Sequence, residues 1–223
     1  MAAGEPGHPG AQKALAELCR NYWYPLYAFV RRKGRPPEEA KDLTQDFFSV
    51  VLEKNYLGDV DQGRGRFRTF LLAAAENFLR NDWAKRQTLK RGGGISFVPF
   101  ETESAEIRYL REPVDGETPE KLFDRRWALG LLESVMEKLR GEFSKADKGS
   151  HFEALEVFLS GEKHPASYAE VAATLGLSEG AVRVAVHRLR ARYGELLRKE
   201  IAMTLADAQD VDDELRHLFV VLG

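Results

Sequence analysis

The sequence predicts an all-α protein: two small helical domains joined by a flexible linker, the second containing a helix-turn-helix. Three observations carry that reading. Apolar residues recur at helical spacing through almost the whole chain, and strand-like alternation is scarce. Three consecutive glycines, Gly92, Gly93 and Gly94, interrupt the helical pattern. The stretch SYAEVAATLGLSEGAVRVAVHRLRARY, Ser167 to Tyr193, sets a cap, an apolar turn, a glycine and a second cap in order.

Residues 1–10, MAAGEPGHPG, lack the basic-then-apolar order of a signal peptide and read as a disordered N-terminus. A first domain is expected over 11–91. Its opening helix carries Leu15, Leu18, Cys19, Tyr22, Leu26, Phe29 and Val30 on one face, with Pro25 expected to kink or restart it. RRKGRPPEE reads as a turn. Pro36 and Pro37 suit a helix entry, and Glu38 and Glu39 favour its positive end. The next helix turns Ala40, Leu43, Phe47, Val50 and Val51 inward. After the loop GDVDQGRG (Gly58 to Gly65), a longer helix from about Phe67 to Arg91 buries Phe70, Leu71, Ala74, Phe78 and Leu79.

Residues 92–118 read as a linker, extended in part. The second domain, 119–200, opens with Leu122, Trp127, Leu131, Val135 and Leu139 at helical spacing, and another helix is expected from about Phe152 to Leu159. Residues 201–223 form an acidic extension with helical periodicity at Val211, Leu215, Leu218 and Phe219. It is expected to pack as a helix on the second domain, a free tail being the alternative.

Within the helix-turn-helix, Ser167 caps the first helix and Glu170 completes the capping box. Tyr168, Val171, Ala172 and Leu175 form its apolar face. Gly176 supplies the left-handed exit, Leu177 is expected to plug the corner, and Ser178 caps the second helix. There Val182, Val186, Leu189 and Tyr193 face inward. Arg183, His187 and Arg190 form a stripe away from the core, flanked by Arg188 and Arg192. Such a helix suits the major groove of DNA. The bland alternative is a solvated basic face.

The chain as a whole has a formal net charge of −2, so its basic residues are local rather than general. Arg64, Arg66, Arg68, Arg80, Lys85, Arg86, Lys90 and Arg91 are opposed in their stretch only by Glu76 and Asp82. The tail after Lys199 is acidic. Two basic zones, one per domain, suit a two-point grip on a polyanion. The single cysteine, Cys19, excludes an internal disulfide, reads as an inert core thiol and fits a reducing cytoplasm. No apolar run approaches the roughly 20 residues of a membrane span. There is no phosphate loop, no G-x-S-x-G and no metal-spaced His/Cys cluster; His8, His151, His164 and His217 are isolated in sequence. The reading is therefore a non-enzyme with no cofactor and no metal.

In this order the motifs resemble a sigma-70 family initiation factor of the extracytoplasmic-function type, over about Leu15 to Lys199. NYWYPLYAFVRRKG resembles the opening helix of the family's region two. DLTQDFF, Asp42 to Phe48, resembles the segment D-L-V-Q-E-x-F that docks on the clamp helices of the polymerase β′ subunit. The resemblance thus implies polymerase contacts at Asp42, Gln45, Asp46 and Phe48, although Phe48 reads equally well as core. GRFRTFLLAAAENFLRNDWAKR resembles the helix that opens and reads the −10 element. This implies contacts from Arg64, Arg66, Arg68, Asn77, Arg80, Asn81, Lys85 and Arg86, with Trp83 a base-stacking or core residue. The helix-turn-helix resembles region four, which reads the −35 element; there the implied contacts are Ser178, Glu179, Arg183, His187, Arg188, Arg190 and Arg192. Core RNA polymerase (β′ clamp helices and β flap) and promoter DNA are the implied partners, with room for an anti-sigma factor and no membrane. The chain departs from the family at Glu76, which replaces a cation, and at Val184 and Ala185, which replace a polar pair. An operator-binding helix-turn-helix regulator acting without polymerase is the rival reading. A polymerase-binding protein that has lost promoter use is a third.

Overall fold

The computed structural model describes residues 9–53, 66–86, 102–112, 117–159 and 167–223. Among these the architecture is all-α: α1 (Pro9–Arg32), α2 (Pro37–Glu53), α3 (Phe67–Arg86), α4 (Thr102–Leu110), α5 (Pro119–Lys145), α6 (Gly149–Leu155), α7 (Tyr168–Leu175), α8 (Glu179–Met203) and α9 (Val211–Leu222). Short 3-10 turns at Glu156–Phe158 and Ala208–Asp210 follow α6 and precede α9. No strand forms among the described residues beyond an isolated bridge between Arg66 and Leu205. The chain divides into two compact units, Met1–Gly130 with Ala202–Gly223, and Leu131–Ile201. The expected disordered start (1–8), the loop Gly58 to Gly65 and the glycine break at 92–94 lie outside the described residues. So do the side chains of Leu15, Leu18, Cys19 and Trp83.

The first unit is built on α1. Tyr22, Leu26, Tyr27 and Phe29 are fully enclosed there. Pro25 lies inside a continuous helix rather than restarting it. A proline cannot donate to the carbonyl four residues back, here that of Asn21. A methyl added at Gly130 of α5 would stand 3.8 Å from the Asn21 oxygen, so α5 passes close to it. Helix α2 buries Leu43, Phe47 and Val51, and Phe47 meets Phe78 of α3 edge to face at 5.7 Å. From α5, Phe123 lies 6.4 Å from both the Tyr22 and the Phe29 rings.

Two elements depart from the sequence expectation. Part of the expected linker is helical, because α4 finds partners on α1. Glu106 accepts from Tyr27 Oη at 2.6 Å and from Arg31 at 2.7 and 2.9 Å. Just beyond α4, Glu112 accepts from Tyr24 Oη at 2.7 Å, and the Arg108 guanidinium sits 4.3 Å over the Tyr24 ring. The polar tips of buried tyrosines need acceptors, and the segment supplies them.

The second departure is α9. It was expected on the second domain; it belongs instead to the first unit. The Phe67 N–H donates to the Thr204 carbonyl at 3.1 Å, joining the start of α3 to the chain leading into α9. Val211, Glu214 and Leu218 make the inward stripe of α9, whereas Phe219 is 65% exposed. Glu214 is 1% exposed and accepts from Arg68 Nε at 2.5 Å and Arg66 Nε at 2.9 Å. Arg68 also donates to Asp124 of α5 at 2.8 Å and lies 5.1 Å over the Trp127 ring.

The second unit packs Val135 and Leu139 of α5 with Phe152, Leu155, Phe158, Val171, Ala172, Val182, Val186 and Leu189. Phe143 and Phe152 pack at 5.4 Å, and Lys138 binds the buried Glu200 carboxylate at 2.6 Å. The expected helix at 152–159 is realised as α6 plus its 3-10 turn.

Removing a partner from a buried ion pair leaves an uncompensated charge. Glu214→Ala should therefore cost about 3–5 kcal/mol in denaturant unfolding of the full chain. Its exposed neighbour Asp213, which pairs with the exposed Arg216, should change stability by less than about 0.5 kcal/mol when replaced by alanine. Equal effects would mean that Glu214 does not anchor α9.

Glu106 has its own signature. Hydrogen bonds from Arg31, and secondarily from Tyr27, hold its carboxyl below the ordinary value of 4.5, against an opposing desolvation. A depressed folded value stabilises above the unfolded pKa and stops doing so as pH falls through the folded one. Protection of α4 amides against hydrogen exchange, corrected for intrinsic rate, should hold at neutral pH and decline below about pH 4.5. Glu106→Gln should weaken that protection at pH 7 and flatten its pH dependence.

Candidate nucleic-acid interface

In the second unit the local sequence grammar is realised bond by bond. Ser167 Oγ accepts from the Glu170 N–H at 3.2 Å, and Glu170 accepts from the Ser167 N–H at 2.6 Å. Gly176 sits at φ 64, a left-handed conformation that costs a side-chain-bearing residue about 1–2 kcal/mol. The Leu177 N–H then returns to the Ala172 carbonyl at 2.9 Å. Ser178 Oγ accepts from the Ala181 N–H at 3.2 Å and starts α8. Leu177 remains 39% exposed, so it does not plug the corner between the helices as expected. Tyr168 and Leu175 are half-buried, as is Tyr193 on α8.

Val182, Val186 and Leu189 fix the inward face of α8, which turns Glu179, Arg183, His187 and Arg188 outward. Arg183 lies 4.4 Å over the Tyr168 ring and 3.8 Å from Glu179. Val184 is exposed beside it. Two of the expected DNA contacts are already engaged within the unit. Arg190 donates through Nε and a terminal nitrogen to the Phe158 carbonyl at 3.2 and 2.9 Å. Arg192 makes a two-pronged pair with Glu142 at 2.9 and 2.6 Å and a third contact to Glu195 at 2.8 Å. These carboxylates, Glu142 first, push the Arg192 pKa up, and Arg192 holds Glu142 below the ordinary carboxylate value. Ser178 is spent on its cap.

In the first unit the expected set divides. Asn77, Arg80 and Asn81 are exposed on α3, and Arg80 donates to the Asn77 side-chain oxygen. Arg68, 6% exposed between Glu214 and Asp124, is a structural cation and not an outward contact. Arg66 is one-third exposed but paired to the same Glu214. Arg64 and the side chains of Lys85 and Arg86 lie outside the described residues. On α2, Asp42 and Asp46 are exposed and Gln45 is half-buried. Phe48, 3% exposed and edge-to-face with Phe47, belongs to the core rather than to a contact surface. The even choice between core and contact resolves to core because Thr44 and Val51, one turn before and one turn after it on the same face, are buried too.

Sequence reasoning missed one basic cluster. Lys33 and Arg35, taken as part of a turn, line an open cavity of about 690 Å³ with Glu76, Leu79 and Arg80 of α3. Lys33 reaches Glu120 at 2.7 Å and Glu76 at 3.6 Å. The signal was present in RRKGR, but only the fold brings that run beside α3. Glu76 thus faces a lysine. No group of side chains suited to a metal ion occurs among the described residues, and no helix is long and apolar enough to cross a membrane.

No protein-family model matches the chain, and no solved structure does. The chain is similar to a protein described as the ECF RNA polymerase sigma factor SigE of Mycolicibacterium smegmatis. The two are 26% identical over 204 residues, which is 91% of this chain and 68% of the relative. That likeness supports assigning the chain to the extracytoplasmic-function group of the sigma-70 family.

Proposed function

We propose that the protein is a sigma factor that binds core RNA polymerase and directs promoter-specific transcription initiation. The observation that carries this is the likeness to SigE along 91% of the chain, which spans both units rather than a helix-turn-helix alone. An operator-binding regulator would not require the first unit to share that likeness. In this reading the second unit reads −35 duplex DNA through the exposed face of α8: Arg183, His187 and Arg188. The first unit contacts the −10 element with Asn77, Arg80 and Asn81, and the Lys33/Arg35 cluster lies near enough to Arg80 to hold the backbone of a separated strand. The exposed carboxylates Asp42 and Asp46 on α2, with Gln45, dock on a basic surface of polymerase. A cytoplasmic location follows from that role.

The decisive test is transcription from a promoter library with the purified chain and core polymerase. Transcripts should share a pair of upstream elements and should require both components. Tight, sequence-specific promoter binding by the chain alone at physiological salt would instead favour the operator-binding regulator.

Reversing two exposed carboxylates should break docking and spare the fold. Asp42→Lys with Asp46→Lys is expected to abolish co-purification with core polymerase, since mismatched interfacial charge costs several kcal/mol. Unfolding should stay within about 1 kcal/mol of the parent, as expected for surface positions. Undiminished co-purification would remove α2 from the docking surface.

Because Glu142 and Glu195 together hold Arg192, the double variant Glu142→Gln with Glu195→Gln should release a cation to the DNA backbone. The slope of log affinity against log salt for −35 duplex should steepen by up to about 0.9, one phosphate's worth of counterion release. The change should be uniform across sequences. An unchanged slope would place Arg192 away from the DNA.

A further inference from the structure

We propose that Tyr168 is a positioning residue that presets Arg183 for reading a base edge. The inference rests on α8 lying in the major groove, as proposed above. The Phe158 and Tyr168 rings stack with centroids 4.7 Å apart and planes 8° from parallel. The Arg183 guanidinium lies over Tyr168, 4.4 Å from its centroid. Three layers are thus piled from the core outward: Phe158 is 5% exposed, Tyr168 is half-buried and Arg183 is exposed.

Both ends of the pile are fixed to α8. At the inner end, Arg190 grips the Phe158 carbonyl with two N–H groups, at 3.2 and 2.9 Å. At the outer end stands Arg183, two turns earlier on the same helix. The middle layer is set by the Ser167–Glu170 capping box, which fixes the first turn of α7, where Tyr168 sits. The capping box, the aromatic stack and the Arg190 bond therefore determine together where Arg183 rests.

The chemistry of the outer contact matters. A cation held over a ring uses its charge and consumes none of the five in-plane N–H donors of a guanidinium. Those donors remain for the paired acceptors that a guanine shows in the major groove. An open cavity of about 430 Å³ adjoins the stack and is lined also by Ser167, Ala169 and Glu179, so there is room beside the guanidinium. Glu179, 3.8 Å away, holds the charge weakly, both partners being exposed. Arginine loses much rotamer freedom when it binds a base, and a ring that already restricts it lowers that cost. Tyr168 then influences sequence preference without touching DNA.

The experiment compares holoenzymes made with core polymerase and the parent chain, Arg183→Ala, Tyr168→Leu, Tyr168→Met, Tyr168→Phe, and the double variant Tyr168→Leu with Arg183→Ala, on one promoter library. Arg183→Ala should lose preference at one upstream position. Tyr168→Leu and Tyr168→Met should each lose part of it at that same position, about 3–10-fold, which is the ordering cost of one long side chain. Tyr168→Phe should keep the parent profile, because the ring face is retained. The double variant should match Arg183→Ala at that position. A loss spread evenly over all positions for the Leu and Met variants would overturn the proposal in favour of a plain packing role, as would a parent-like profile for both. Failure of Phe to rescue would also overturn it. If Arg183→Ala itself leaves the profile unchanged, the groove placement of α8 falls, and the positioning role falls with it; that outcome is distinct from a Tyr168 failure.

Discussion

Arg68 sits where α3 begins, buried against Trp127, with Glu214 on one side and Asp124 on the other. A buried guanidinium without partners would be among the costliest groups a small domain could enclose. Here two arginines, Arg66 and Arg68, meet two carboxylates, so the cluster is balanced in charge. The partners come from α3, α5 and α9, elements far apart in the sequence. Such a cluster adds little to net stability over a well-packed apolar one, yet it punishes every arrangement that leaves a member unpaired. It therefore fixes which helices assemble. The N–H of Phe67 bonded to Thr204 and the bridge between Arg66 and Leu205 lie next to it, and all tie the end of the chain to the start of α3.

The same logic sorts several cations among the described residues. Arg31 is held by Glu106, Arg66 and Arg68 by Glu214, Arg190 by a backbone carbonyl and Arg192 by two glutamates. These side chains join helix to helix within their own units. Among the expected contacts in the described residues, Arg80 in one unit and Arg183, His187 and Arg188 in the other stand outside that group, and all four are exposed. Counting lysines and arginines along a helix overstates its electrostatic footprint, because the acidic partners arrive from elsewhere in the chain.

Features written within one or two helical turns were legible in the sequence. The capping box at Ser167, the left-handed Gly176 and the cap at Ser178 depend on neighbours no more than five residues away, and each appears as read. The inward stripe Val182, Val186 and Leu189 follows from the helical period alone. What was misplaced depends on distant partners. Periodicity announced α9, but nothing local said that Glu214 would meet a residue 146 positions earlier. The same holds for α4, whose carboxylate answers tyrosines and an arginine of α1. Phe48 could be core or contact because an aromatic at the flank of a helical stripe satisfies both patterns. Pro25 was expected to break α1; the flanking residues Tyr22, Tyr27 and Phe29 bury enough apolar surface to carry the helix across the lost bond.

A net charge of −2 gives the chain as a whole little long-range attraction for a polyanion. Each additional phosphate contact would add roughly 0.9 to the salt slope, and four of the arginines expected to contact DNA, Arg66, Arg68, Arg190 and Arg192, are engaged internally. On the proposed function, affinity for DNA would come from joining two modest sites on one polymer, where the second binding step gains from a high effective concentration. That gain is large only if the sites are held at a span that matches the DNA, and a partner protein gripping both units can set the span. The exposed carboxylates of α2 fit this arrangement: they would oppose DNA and favour a basic protein surface. In the proposed role, a chain that spends these arginines on its own fold and exposes acid on α2 would thus read DNA in company rather than alone.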